Sequence, residues 1–155
     1  MAGFTTAFPT SAKGELPQGL HIYTATTGNL FGCALGIGTP TGTYGAATTN
    51  YSNLTGNSDE VSNAGTNYTT GGFLWTAAQN ITPATSGTSS YWQWTTNPNW
   101  TSSTFNTSGC IIYNRSQSNR AVYVGGFGGI KTITSGTLTL VQPANGAGTS
   151  LLQLN

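Results

Sequence analysis

Charge is what this chain has least of. Lys, Arg, Asp and Glu make up 5% of its 155 residues, where about a quarter is usual for a soluble domain, and the two signs nearly cancel to a formal +1. Nucleic acid binds through clustered cations that displace counterions, so no nucleic-acid partner is expected. Low charge does not mean disorder, because disordered chains are poor in aromatics and this one is 11% aromatic with four Trp.

Long hydrophobic runs are also missing. Nothing approaches the roughly 20 apolar residues that span a bilayer, and "MAGFTTAFPTSAKGELPQG" has neither the basic nor the apolar part of a secretion signal. A soluble protein without a leader or a membrane partner is the expectation. Cysteine is down to Cys33 and Cys110, in separate apolar segments. With no sign of export, two buried thiols are expected rather than a disulfide.

The same scarcity limits chemistry. One His, two distant Cys and three carboxylates give no metal-ligand spacing, so no metal or cofactor is expected. Asp59 and Glu60 are adjacent and would point to opposite faces of a strand, unable to flank one glycosidic bond. There is no G-x-S-x-G elbow, and His21 is the only candidate base. No catalytic residue is assigned and the chain is not expected to be an enzyme. Gly125 to Thr132 nearly spells a phosphate loop ending in Lys131, but Ile130 replaces the second glycine and "TITSGTLTLVQP" is not a helix sequence. Glycines that let a strand bend or another backbone approach are the better reading.

What is abundant is Thr and Ser, 43 together, and 22 Gly, a composition of strands and turns with a neutral, hydroxylated surface. Such a surface lacks the self-repulsion that keeps neighbours apart and suits packing in a larger assembly. Residues 1–18 read as an extended N-terminal arm with at most one helical turn, the kind of segment that a partner orders; residues 19–155 read as one domain. "GLHIYTAT", "NLFGCALGIG", "GGFLWTAAQNIT", "SYWQWTT", "GCIIYN", "RAVYVGGF", "GTLTLVQP" and the terminal "SLLQLN" predict strands, "SDEVSNAG" a short one, with no capped helical pattern of eight residues. The fold class is all-β, an antiparallel sandwich or barrel.

Two features invite contacts. Arg115 and Arg120 flank "SQS" at the predicted tip of a hairpin, placed to pair with carboxylates of a neighbouring subunit. Trp75, Trp92, Trp94 and Trp100 offer a platform for sugar rings, although aromatics at strand spacing are more often core.

Glu60-Val61, Tyr68 and Gly71-Gly72 in "SDEVSNAGTNYTTGG", together with "IYNRSQSNRAV" at Ile112 to Val122 and the terminal "GTLTLVQPANGAGTSLLQLN", resemble a family of small proteins encoded among the virion genes of tailed bacteriophages. That family's pattern has an acidic residue where Gly126 stands before Phe127 and Gly128. The resemblance implies a single jelly-roll-like β-sandwich that decorates a capsid. It would be a cement protein on the outside of the major capsid protein shell, made in the host cytoplasm and present in the virion, commonly as a homotrimer. On this reading Phe4, Phe8, Lys13 and Glu15 of the arm and Arg115 and Arg120 of the loop contact the capsid or a neighbouring protomer, and deleting residues 2 to 14 leaves the fold intact. The alternative is a tail or fibre module that binds host-surface carbohydrate through exposed tryptophans.

Overall fold

The run "FGCALGI" leaves no polar side to turn to water, and a strand of that kind belongs in the middle of a sheet covered on both faces. The computed structural model, which describes residues 2–143 and 153–154, puts it there. In chain order the elements are β1 (Gly3–Phe4), α1 (Thr10–Glu15), β2 (Phe31–Ile37), β3 (Thr43–Tyr44), α2 (Ser52–Gly56), β4 (Phe73–Leu74), a 3₁₀ turn (Ala77–Gln79), β5 (Ile81–Ser86), β6 (Ser89–Trp94), β7 (Asn99–Asn114), β8 (Arg120–Thr139) and β9 (Gln153–Leu154). The described chain is mostly β, as its composition predicts. One antiparallel sheet runs β4-β2-β7-β8, a second runs β5-β6-β9, β1 pairs in parallel with β3, and none of these closes into a barrel.

Alternation along the central strands splits the core. Phe31, Cys33 and Leu35 of β2 and Cys110 and Ile112 of β7 face Trp75, Ile81, Trp92 and Trp94, so the first sheet meets residues of the second through large apolar side chains. Ala34, Ile111, Ala121 and Val124 face the other way, against Tyr44 and Leu54 with Phe4 and Tyr51 packed at the margin. All four tryptophans are at most 7% exposed. Cys33 and Cys110 are buried and free, as expected, and their thiols hydrogen-bond to each other.

The two long strands form one hairpin. Gln117 N–H donates to the Asn114 carbonyl and Arg120 N–H to that of Gln117, and Ser118 and Asn119 take left-handed backbone (φ 51° and 59°). The tip at 115–119 is where the sequence puts it. "RAVYVGGF" and "GTLTLVQP" are not separate strands, because β8 runs through the glycines, its mismatch with β7 absorbed by four register shifts. No helix follows Lys131, which removes the phosphate loop.

Two further expectations need correcting. "GLHIYTAT" is a turn, not a strand: Asn29 N–H donates to the Ile22 carbonyl and Gly28 N–H to that of Thr24, so these groups are satisfied locally. "SDEVSNAG" contributes only an isolated bridge, Glu60 to Gly36. Of "SLLQLN", only Gln153–Leu154 falls among the described residues, as β9.

The largest correction concerns the arm. Residues 2–18 lie against the rest of the chain. Thr5 N–H donates to the Tyr44 carbonyl, Ala7 and Val124 exchange N–H···O bonds of 2.9 Å, and Thr10 N–H donates to the Ala46 carbonyl. The physical reason is a row of three glycines across the central sheet, since Gly36 pairs with Gly109 and Gly109 with Gly126. A Cβ at Gly36 or Gly109 would run into the Phe4 ring, and one at Gly126 would sit 2.5 Å from the Phe4 carbonyl oxygen. The absent side chains make the seat for Phe4, whose ring stacks on Tyr44 at a centroid distance of 4.6 Å. Phe8 meets Trp92 edge-on at 5.3 Å. Gly126 thus stands where an acidic side chain would displace Phe4.

Candidate functional site

Four of the six residues expected to reach a partner are engaged within the chain. Phe4 and Phe8 pack as above. Glu15, at the end of α1, is buried; its Oε1 pairs with the Arg120 guanidinium at the hairpin tip, and its Oε2 lies 2.7 Å from His21 Nε2. On the far side of the ring, Asn114 Nδ2 lies 2.9 Å from His21 Nδ1 and also donates to Asn29 Oδ1. Asn114 Oδ1 is taken by the Ser116 N–H at 3.0 Å, which fixes the amide's orientation. Nδ1 of His21 is therefore the acceptor, and Nε2–H donates to Glu15. With both ring nitrogens engaged and no exposed side-chain surface, His21 joins the N-terminal segment to the hairpin and presents nothing to a substrate. The Tyr23 hydroxyl beside it is buried without a partner among the described residues, and burial followed by the Glu15 charge pushes its phenol above the usual range.

The other two carboxylates also turn inward. Asp59 accepts from the Tyr44 hydroxyl at 2.6 Å, the Gly42 N–H at 2.7 Å and both the N–H and the hydroxyl of Thr41. Burial pushes its carboxyl up, but these donors outweigh that effect and hold it below the usual carboxylate range. Glu60 accepts from the Tyr51 hydroxyl at 2.5 Å, the Tyr68 hydroxyl at 2.9 Å and the Gly71 N–H at 2.6 Å. Burial first and these carboxylates second raise Tyr44 to about 12 and push Tyr51 and Tyr68 above the usual range. The Glu60, Tyr68, Gly71-Gly72 spacing is thus a fold device. Gly72 takes φ 75° with its α-carbon against the Cys33 carbonyl, and Gly71 offers its own carbonyl to the Tyr113 hydroxyl at 2.8 Å.

The cations are distributed differently. Arg120 is paired, while Lys13, Arg115 and Lys131 are exposed and make no ion pair among the described residues. Burial raises the Tyr113 phenol to about 12, with the charge of Arg115 opposing. The outward surface is therefore neutral to cationic, built of Thr, Ser, Asn and Gly, while all three carboxylates are used inside.

The sequence did not point to the outer half of β8. Beyond Thr107, the last β7 residue paired with β2, the hairpin continues as a two-stranded ribbon, and Ile130, just before that ribbon begins at Lys131, is 54% exposed. Ile130 lines two shallow depressions, one with Phe105, Val61 and Gly38 and one with Phe127, Ile133 and Leu138. Its failure to be the glycine of a phosphate loop was the only signal there, and it marks an apolar side chain where a tight turn would need none.

Among the described residues no three His, Cys, Asp or Glu side chains come together as a metal site, and no helix is long and apolar enough to cross a membrane. Set against known protein families, characterised proteins and solved structures, the chain matches none of them.

Proposed function

We propose that the protein is a capsid decoration protein of a tailed bacteriophage. On this reading it is a β-sandwich of jelly-roll type that binds the outside of the major capsid protein shell as a homotrimer and stabilises the head mechanically. The observation that carries the reading is the division of charge: every carboxylate is consumed inside the fold while Lys13, Arg115 and Lys131 face outward on a hydroxylated surface. A surface of this kind adheres to a complementary acidic one without repelling its neighbours. Repetition over a symmetric shell lets modest contacts add up.

The arm is no longer the contact in this proposal, since Phe4, Phe8 and Glu15 already serve the fold; Lys13 and Arg115 remain as candidate contacts. The carbohydrate-binding alternative loses its basis, because all four tryptophans are core residues. The test is to strip the protein from heads, add it back and follow head stability against heat, with copy number per particle by quantitative mass spectrometry. Hundreds of copies and restored heat resistance are expected. A handful of copies, or stripped heads as stable as intact ones, refutes the proposal, and light scattering that finds only monomer refutes the trimer.

A further inference from the structure

The outer edge of β8 is closed along its first half and open along its second. Thr49, Ala7 and the Thr6 hydroxyl bond to Ala121, Val124 and Gly126, but beyond Gly126 no other described segment gives that edge a backbone hydrogen bond. Between the kinks at Gly128 and Gly129 (φ 69° and 148°) and at Ser135 (φ 46°), residues 131–133 pair in unbroken register with β7, Lys131 opposite Thr107 and Ile133 opposite Phe105. Every second residue of such an edge points its N–H and C=O outward. Edges of this sort are usually blunted by several charges, proline or a covering segment; this one has a single Lys beside a half-exposed Ile.

Charge identifies what would cover it. Lys131 lies at the rim of the apolar groove formed by Phe127, Ile130, Ile133 and Leu138 and has no ion pair among the described residues. A second copy of the chain would bring more outward cations and none of its carboxylates, which are all engaged in its own fold. The complementary occupant is a different protein.

We propose that the edge at 130–134 accepts an added strand from an extended, acidic segment of a partner protein. The partner's backbone continues the β7-β8 ladder, an apolar side chain packs beside Ile130, and a carboxylate pairs with Lys131. This rests on the adhesion reading for the existence of a protein partner, and adds where and by what chemistry that partner is held.

The probe is the head particle stripped of this protein, titrated with full-length chain at low and at raised salt. Lys131→Glu should bind at least tenfold more weakly than wild type and Lys131→Gln should fall between. Thr88→Glu, which shifts the net charge by one unit as Lys131→Gln does but on the β5-β6 turn, should bind as wild type, and circular dichroism should find all three folded. The amides among 130–134 that point away from β7 should exchange with solvent freely in the isolated chain and slowly on the particle. Wild-type affinity for Lys131→Glu, equal exchange of those amides on and off the particle, or their protection in the isolated chain overturns the added strand and leaves the adhesion reading standing. A wild-type chain that fails to bind stripped heads overturns both.

Discussion

The seat of Phe4 can be tested by a double-mutant cycle whose sign is fixed in advance. Truncating a fully buried Phe to Ala costs about 3–5 kcal/mol. Phe4 is half-buried, so about half of that is at stake, roughly 2 kcal/mol by the same scale, with about 0.5–1.5 kcal/mol more from its stack on Tyr44. Gly36→Ala places a methyl against the ring, and the three atoms nearest that methyl all belong to Phe4. Overpacking of this kind costs about 1–3 kcal/mol. With Phe4→Ala already in place those three contacts are gone, and Ala should be as good as Gly or better by about 0.5 kcal/mol in a strand. The two changes should therefore couple by about 1–3 kcal/mol, measured by urea unfolding followed through the buried tryptophans. Gly109→Ala is the contrast: its methyl would also lie 2.6 Å from the Gly125 carbonyl oxygen, so its cost should persist without Phe4. Additivity of Phe4→Ala and Gly36→Ala within about 0.5 kcal/mol would refute the seat and restore the free arm, whose removal leaves stability unchanged.

Three other outcomes follow from the buried groups. Asp59 has a carboxyl lowered by its donors, so its contribution is full above the unfolded carboxyl value of about 3.9 and is lost as pH falls through the folded value. Asp59→Asn should cost about 2–3 kcal/mol at pH 7, as for hydrogen bonds to a charged acceptor, and should flatten the acid limb of a stability–pH curve; an unchanged acid limb contradicts the assignment. Cys33 is raised well above the usual thiol range by its hydrogen bond with Cys110 and by burial, so a thiol reagent at pH 8 should label neither cysteine in the native protein and both in urea; rapid native labelling counts against the buried pair. Tryptophan emission should be blue-shifted, resistant to acrylamide and unmoved by host polysaccharides, and a saturable shift would revive the carbohydrate reading.

Local patterns were legible in the sequence and register was not. The uniform apolar run of β2, the strand at "SYWQWTT", the turn-bounded arginines and the two thiols can each be read from their neighbours, because each is set by alternation or turn chemistry within a few residues. The glycine row is different: Gly36, Gly109 and Gly126 become one surface only once β2, β7 and β8 are aligned, and the bulges in β7-β8 mean that counting residues would not align them. Without that row Phe4 and Phe8 read as an arm. His21 misled for a related reason, since alternation around it suggests a strand, whereas its partners Glu15 and Asn114 lie 6 and 93 residues away. The adjacent acids could be read only as unable to flank one substrate bond, and nothing near them in the sequence showed that Asp59 and Glu60 each organise a loop of their own.

The docking of the N-terminal segment also sets an order on biosynthesis. Thr6 meets Gly126 across 120 residues of chain, and at about 5–20 residues per second a ribosome needs roughly 6–24 seconds to cover that distance. For that interval Phe4 has no complete glycine row to receive it, and for much of it Phe8 has no Trp92, and long-range closure of this kind is slow once it becomes possible. Phe4 thus waits for the last glycine of its seat, and until β8 is made the nascent chain carries that aromatic unsheltered.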